Sequence, residues 1–345
     1  MRKLIRYIGL IIAAVLIYFG VRTYNRVCAP VVSIDSDELV LFIKTGWDQD
    51  SVLAFLDNSE IVKRPRDLKW VMKKKNYQGS LVVPGKYVIK NKMSCVELVD
   101  NLRAGRGENE VKVTFNSVRT LEEIAGLASK ELEVDSLTLI KAFGNVDEIE
   151  RLGFNSSTFK TMFLPDTYNM EWDTDEDEFI GRMATEYKKF WSADRKRRAK
   201  ALGLSQSEIT TLASIVQAEQ QVHPDERKRI AGLYLNRISR GMKLQSDPTV
   251  VYAIGDFSKR RVLTADLKYD SPYNTYKYAG LPPGPINIPS KQSIDAVLYA
   301  EDHDYIFMCA KADFSGYHEF ASSLSAHNSN ARAFQRALDE GKIYN

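Results

Sequence analysis

Residues 205–219 read Ser205-Gln206-Ser207-Glu208-Ile209-Thr210-Thr211-Leu212-Ala213-Ser214-Ile215-Val216-Gln217-Ala218-Glu219. Ser205 followed three residues later by Glu208 is a capping box, so a helix begins here. Ile209, Leu212 and Val216 recur at helical spacing and turn an apolar stripe toward a core. The spacing continues to Glu219, so a carboxyl group extends the inward-facing stripe. Burial disfavours a charged carboxylate and raises its pKa, the condition under which a glutamate holds a proton near neutral pH and donates it to a leaving group. On spacing alone the commoner reading is an ordinary glutamate in a fraying last turn.

Downstream, His223-Pro224 with Asp225 and Glu226 fits a new helix start, with Pro in the first turn and acids near the positive end of the dipole. Ile230, Leu233 and Tyr234 give that helix its apolar face, and Gly241 stops it. Three loops, together rich in amides, hydroxyls and rings, follow: Leu244-Gln245-Ser246-Asp247-Pro248-Thr249, Tyr273-Asn274-Thr275-Tyr276 and Gly280-Leu281-Pro282-Pro283-Gly284-Pro285-Ile286. Rings stack on sugar faces and amides bond hydroxyls, so the mixture suits a carbohydrate cleft; each segment alone is equally a rigid turn. Asn274 and Tyr276 are candidates to bond acetamido or hydroxyl groups, although Asn in a tight loop commonly serves the backbone. Asp247 before Pro reads first as a turn residue. His327-Asn328 reads as the entry to the last helix with Asn328 as cap, and a cleft-facing His327 as the sharper alternative.

Upstream, Leu39 to Ile43 reads as a strand, Asp50 to Asn58 and Pro65 to Lys75 as helices, and Leu81 to Val83 and Lys86 to Ile89 as strands about Pro84-Gly85. Ser94 with Glu97 opens a helix ending near Gly105. This is a small α+β module. A second unit starts with a strand, Val111 to Phe115, and a helix capped by Thr120 with Glu123. The acidic run Asp173 to Glu178 reads as a helix start favoured by the macrodipole, and the basic segment Ala193 to Lys200 as an exposed helical end.

At 345 residues and 44% apolar, the chain fills at least two cores. Lys plus Arg number 48 against 45 Asp plus Glu, with no basic stripe, which gives no reason to expect nucleic acid. Cys28, Cys95 and Cys309 form no CxxC pair, and His223, His303, His318 and His327 have no ligand spacing, so neither a metal nor another cofactor is expected. Arg2, Lys3 and Arg6 precede an uncharged stretch from Tyr7 to Val21 closed by Arg22 and Arg26. With Leu4 and Ile5 included and the arginines snorkelling, it reaches the length of about 20 residues that spans a bilayer. No A-x-A-like cleavage site follows, and the residues before Cys28 do not suit lipidation, so an uncleaved anchor is expected rather than a cleaved signal. The basic tip is expected on the cytoplasmic side of the inner membrane and the rest outside it.

The ordered set from Leu212 to Glu219, Leu235-Asn236-Arg237, Gly241-Met242 with Leu244 to Val250, Tyr273 to Tyr276, Gly280 to Ile286 and His327-Asn328 resembles the MltG (YceG-like) endolytic murein transglycosylases over nearly the whole chain. The resemblance implies an α+β fold in three parts: a cytoplasmic tip and transmembrane helix (1–29), a LysM-like module (30–107) and a mixed α+β catalytic domain (108–345). It implies that Glu219 is the catalytic residue, that Gln245 and Asp247 line the cleft, and that the substrate is peptidoglycan, cut between N-acetylmuramic acid and N-acetylglucosamine to leave 1,6-anhydro ends. Nascent strands and wall-synthesis proteins are the implied company. Two departures stand out. Gln217 occupies a position where the family often has Glu, and Lys160-Thr161 replaces a Glu-Gly pair ahead of Phe163-Leu164-Pro165-Asp166-Thr167-Tyr168. The latter puts in doubt a substrate role for that expected strand edge. A binding scaffold for wall synthases and a hydrolase using Asp247 as second carboxylate remain the alternatives.

Overall fold

The structure is a computed structural model, and residues 2–105, 109–259 and 261–341 are described. Two compact units emerge. The first comprises Met1–Val113, Glu131–Val134 and Tyr168–Asp175, and the second comprises Thr114–Lys130, Asp135–Thr167 and Glu176–Asn345. The expected boundary at 107/108 lies outside the described residues.

The first unit opens with α1 (Arg2–Cys28), in which Leu4–Cys28 is long and apolar enough to cross a membrane. Its side chains from Leu4 to Tyr24 are exposed, but its last turn is not free. Arg26 pairs with Asp67 at 2.8 Å and lies 5.0 Å over the Trp70 ring, while Arg64 donates to the Asn25 and Ala29 carbonyls at 2.8 and 2.9 Å. The helix therefore ends as part of the module that follows it. That module runs β1 (Glu38–Ile43), α2 (Gln49–Asn58), α3 (Pro65–Lys74), β2 (Gly85–Lys90) and α4 (Cys95–Ala104). β1 and β2 pair antiparallel with Leu41 opposite Tyr87 and Leu39 opposite Ile89. Alternation sends Leu41, Ile43, Tyr87 and Ile89 into a core completed by Val52, Leu56, Leu68, Val71 and Met72 from α2 and α3. Each such aliphatic side chain contributes about 1.5–3 kcal/mol. The Ser94–Glu97 capping box is complete in both directions, 2.8 and 3.2 Å. The strand expected at Leu81 to Val83 is not formed: Gly79–Leu81 is a 3-10 turn, and β2 takes its partner from β1. The apolar run is too short to pair before Pro84, which has no N–H to donate.

β3 (Glu110–Phe115) pairs with β4 (Asp166–Glu171), and both strands are divided between the two units. The second unit continues with α5 (Leu121–Ala128), α6 (Ser136–Phe143), α7 (Val146–Arg151), α8 (Glu176–Phe190), α9 (Ala193–Ala201), α10 (Gln206–Glu219), α11 (Arg227–Ser239), α12 (Asp247–Ile254), α13 (Lys291–Leu298), the antiparallel hairpin β5 (Phe307–Ala310) and β6 (His318–Ala321), and α14 (Leu324–Glu340). The acidic run does start α8, with Glu176, Asp177 and Glu178 in its first turn, and the basic segment is a helix of its own, α9. Only half of the second capping box forms: Thr120 accepts from the Glu123 N–H, but the Glu123 carboxylate bonds the N–H of Arg119.

α10 differs from the amphipathic helix that its stripe predicts. Every residue from Ile209 to Val216 is buried, because α11, α12 and α13 all pack against it. Its small polar residues survive burial by bonding the helix itself: Thr210 donates to the Gln206 carbonyl at 3.0 Å and Ser214 to the Thr211 carbonyl at 2.7 Å. Ser214 also accepts the Ile286 N–H at 3.0 Å, which fastens the Pro-rich loop to the helix. Gln217 accepts the Ser290 N–H and the Ser293 hydroxyl, both at 2.8 Å, and so anchors the start of α13.

Candidate active site

Glu219 is the last residue of α10, and its capped end delivers the carboxyl to a cavity of about 260 Å³. A larger cavity elsewhere, about 670 Å³ beside Lys196 and Lys200, has no acid among its lining residues and cannot supply a proton donor of this kind. At Glu219 two hydroxyls converge on one oxygen: Tyr234 donates to Oε1 at 2.7 Å and Ser246 at 2.5 Å. Burial raises the carboxyl pKa, the two hydroxyl donors pull it back, nearby Asp247 adds a push upward and His318 a pull downward; the net is upward. Oε1 accepts twice, and Oε2 has no partner among the described residues, which leaves Oε2 free to hold or pass a proton. Burial also holds the Tyr234 phenol well above its ordinary pKa, so it stays a neutral donor.

The irregular stretch 244–246 that leads into α12 is set by Arg237, a buried side chain on α11. Its guanidinium donates to the carbonyls of Lys243, Leu244 and Ile306 at 3.1, 2.8 and 2.7 Å and to Gln245 Oε1 at 3.2 Å. Gln245 has φ 54°, a left-handed backbone uncommon outside Gly and Asn. Side chains then alternate: Gln245 and Asp247 are exposed and line the cavity, whereas Ser246 turns inward to Glu219. Asp247 does not sit in a turn, as Asp-Pro suggests, but opens α12 with Pro248 in its first turn. Its carboxylate accepts the Tyr276 hydroxyl at 2.6 Å, and burial together with that bond keeps the Tyr276 phenol protonated.

Two candidates from the sequence lie elsewhere. Asn274 is fully buried, with its amide donating to the Leu267 and Tyr269 carbonyls at 3.1 and 2.7 Å and its oxygen taking the Tyr276 N–H. It shapes the loop that carries Tyr276 and has no side-chain group left for a ligand. His327 lies inside α14, which is capped by Ser323 and not by Asn328. Its ring stacks on Phe307 at 5.2 Å, outside the residues lining the cavity, and burial followed by nearby Arg237 lowers its pKa. Lys160-Thr161 belongs to a 3-10 turn, Phe159–Met162, ahead of the expected strand edge, which forms as β4 from Asp166. The buried Lys160 ammonium donates to the Tyr252 hydroxyl at 3.1 Å, and desolvation pushes its pKa down to about 8.

Sequence reasoning passed over one wall entirely. The β5–β6 hairpin brings His318 and Cys309 to the cavity. His318 Nδ1 is 2.7 Å from the buried Glu226 carboxylate, which also accepts the His318 N–H at 2.9 Å and the Gln220 amide at 2.7 Å. Gln220 directly follows Glu219, so this chain of bonds links the hairpin to the end of α10. The hairpin and Glu226 are 92 residues apart, and no local spacing reports the contact.

Residues 41–333 match the YceG-like family model. The chain belongs to the YceG-like family. Among its relatives, a Bacillus subtilis (strain 168) protein named endolytic murein transglycosylase is 28% identical over 332 residues, 91% of this chain and 89% of that protein. A Streptococcus pneumoniae (strain D39) protein of the same name is 26% identical over 347 residues, 91% of this chain but 61% of that longer protein. A solved yceG-like protein from Listeria monocytogenes shares the fold, with TM-score 0.57 at 24% identity over 85% of this chain and 98% of that one. The mixed α+β fold with an apolar N-terminal helix thus agrees with the expectation from the motifs, and all residues of the cavity lie inside the YceG-like segment.

Proposed function

We propose that this protein is a membrane-anchored lytic transglycosylase that cuts peptidoglycan glycan strands between N-acetylmuramic acid and N-acetylglucosamine, with Glu219 as both acid and base. The observation that carries this reading is the Glu219 carboxyl itself: buried, raised in pKa, with Oε1 held by two hydroxyls and Oε2 left over. The names of the Bacillus and Streptococcus relatives support the substrate. In the proposed step, Oε2 protonates the glycosidic oxygen as the bond from the anomeric carbon to it breaks. The C6 hydroxyl of the muramic acid closes on that carbon and gives its proton to the carboxylate, forming the 1,6-anhydro ring. The Tyr234 and Ser246 hydroxyls stabilise the carboxylate between the two transfers. Intramolecular attack removes the need for a second carboxylate to activate water. Gln245, Asp247 and Tyr276 are placed to position the sugar.

Mass analysis of products from purified strands tests this. Anhydro ends are expected; ordinary reducing ends would instead assign a hydrolase in which Asp247, on the same cavity, is the second acid, and uncut but bound strands would leave a scaffold. The module at 30–107 is proposed as LysM-like, and the helix Leu4–Cys28 as a single-pass anchor holding the second unit outside the inner membrane, near newly made strands and the proteins that make them. The tether is separable only above its last turn. Removing residues 2–21 should leave the melting temperature unchanged, whereas removing 2–26 deletes the Arg26 contacts with Asp67 and Trp70 and should lower it by about 4 °C or more. Equal melting temperatures for the two truncations would show that the Arg26 contacts are not structural.

A further inference from the structure

Asp247 lines a second cavity, of about 350 Å³, which it shares with Ala218 and Gln221 on either side of Glu219. Two polar groups there lack a hydrogen-bond or ion-pair partner among the described residues. The Arg119 guanidinium lies 4.0 Å over the Phe257 ring and makes no ion pair among the described residues, since the Glu123 carboxylate takes the Arg119 backbone N–H instead. The other cation lining the cavity, Lys259, is already bound to Asp266 at 2.7 Å. Asn287 donates from its Nδ2 to the Ser214 carbonyl at 2.9 Å, but its buried Oδ1 accepts nothing from the described residues. The two are neighbours, because Ile288 N–H bonds the Val118 carbonyl at 3.0 Å and so sets residues 119 and 287 side by side.

A buried acceptor without a donor is costly, and a guanidinium held over a ring with no ion-pair partner among the described residues is ready to bind a carboxylate. Tyr252, whose ring is held by Tyr273 at 4.8 Å, adds an aromatic surface of the kind that stacks on a sugar. We propose that this cavity is a subsite for the acid-bearing sugar of the strand, with Asn287 Oδ1 accepting the N–H of its N-acyl group and Arg119 binding a carboxylate of its lactyl ether or of the peptide that the ether carries. A neutral N-acetylated sugar would satisfy Asn287 and leave Arg119 unpaired. The subsite thus sets the register of an alternating strand across Glu219. This deepens the proposed function and rests on it for the identity of the strand.

The test measures binding by full-length Glu219→Gln protein, whose slowed cleavage should leave strands intact during the measurement, with and without Arg119→Ala or Arg119→Gln. Three ligands are compared: peptide-free strands, the same strands with their carboxylates converted to methylamides, and uncrosslinked strands that keep their peptides. Removing the guanidinium should weaken binding of carboxylate-bearing strands by about tenfold while binding of the methylamide strands stays unchanged. Loss on peptide-free strands assigns the lactyl carboxylate, and loss on peptide-bearing strands alone assigns the peptide. No loss, or equal loss on the methylamide strands, overturns the subsite. Wild-type cleavage is read separately: strands that bind in an Arg119-dependent way but are not cut would sink the transglycosylase reading and leave the subsite standing.

Discussion

Glu219→Gln should lower the rate of strand cleavage by a factor of about 10²–10⁴, the range supplied by one positioned acid and base, while strand binding survives. Gln keeps an oxygen to accept from Tyr234 and Ser246 and puts an amide where Oε2 stood, so the local packing changes little. The same substitution should make the protein more stable at neutral pH. Burial raises the folded-state pKa of Glu219, so the native protein keeps a proton that the unfolded chain releases. Stability from this group is complete below the ordinary glutamate pKa of about 4.3 and falls as pH rises toward the folded value, at up to about 1.4 kcal/mol per pH unit. Gln cannot titrate and loses nothing over that window. Thermal melts of both proteins from acid to neutral pH should therefore diverge upward from about pH 4, with the variant the more stable. Coincident stability curves would mean that the carboxyl is not raised, and undiminished cleavage would remove Glu219 from the chemistry. In the wild type, cleavage should fall on the alkaline side as Glu219 loses the proton that the leaving group needs.

Arg237→Ala should destabilise the protein by about 3 kcal/mol or more, because it strips donors from buried carbonyls at Leu244 and Ile306 and leaves a void beside Phe307. In a unit of this size that corresponds to a fall in melting temperature of about 6–12 °C. Activity should drop too, even below the transition, since the 244–247 stretch that aims Ser246 at Glu219 is pinned by this guanidinium. Arg237→Lys keeps the charge but cannot fork to several carbonyls at once, and should fall in between. Melting temperature and cleavage rate measured together decide the matter: an unchanged melt with Arg237→Ala would show that the carbonyls find other donors.

Much of this protein is legible without coordinates because its signals are local. The capping boxes at Ser94 and Ser205 fix where α4 and α10 begin, since both partners of each bond lie within four residues. The apolar run Leu39–Ile43 reads as a strand and lies in β1, and the uncharged stretch Tyr7–Val21 lies within α1. The ordered motifs from Leu212 onward carried the family, and Glu219 as the residue to watch.

What the sequence could not hold is anything made between distant segments. Asp247 reads as a turn residue, yet it opens α12, and the flanking Ser246 and Thr249 are tied to Thr275 on another loop. Asn274 and His327 have the right chemistry for a cleft and lie outside it, one spent on backbone carbonyls and the other stacked on Phe307. Gln220, Glu226 and His318 meet only because a hairpin nearly a hundred residues on folds back against α11. Glu219 itself shows the division. Its place at the end of a helix follows from spacing, which costs nothing to read. The desolvation that raises its pKa, and the Tyr234 and Ser246 hydroxyls on two other segments that pull it part of the way back, are made by several elements at once, a property that only the packed chain possesses.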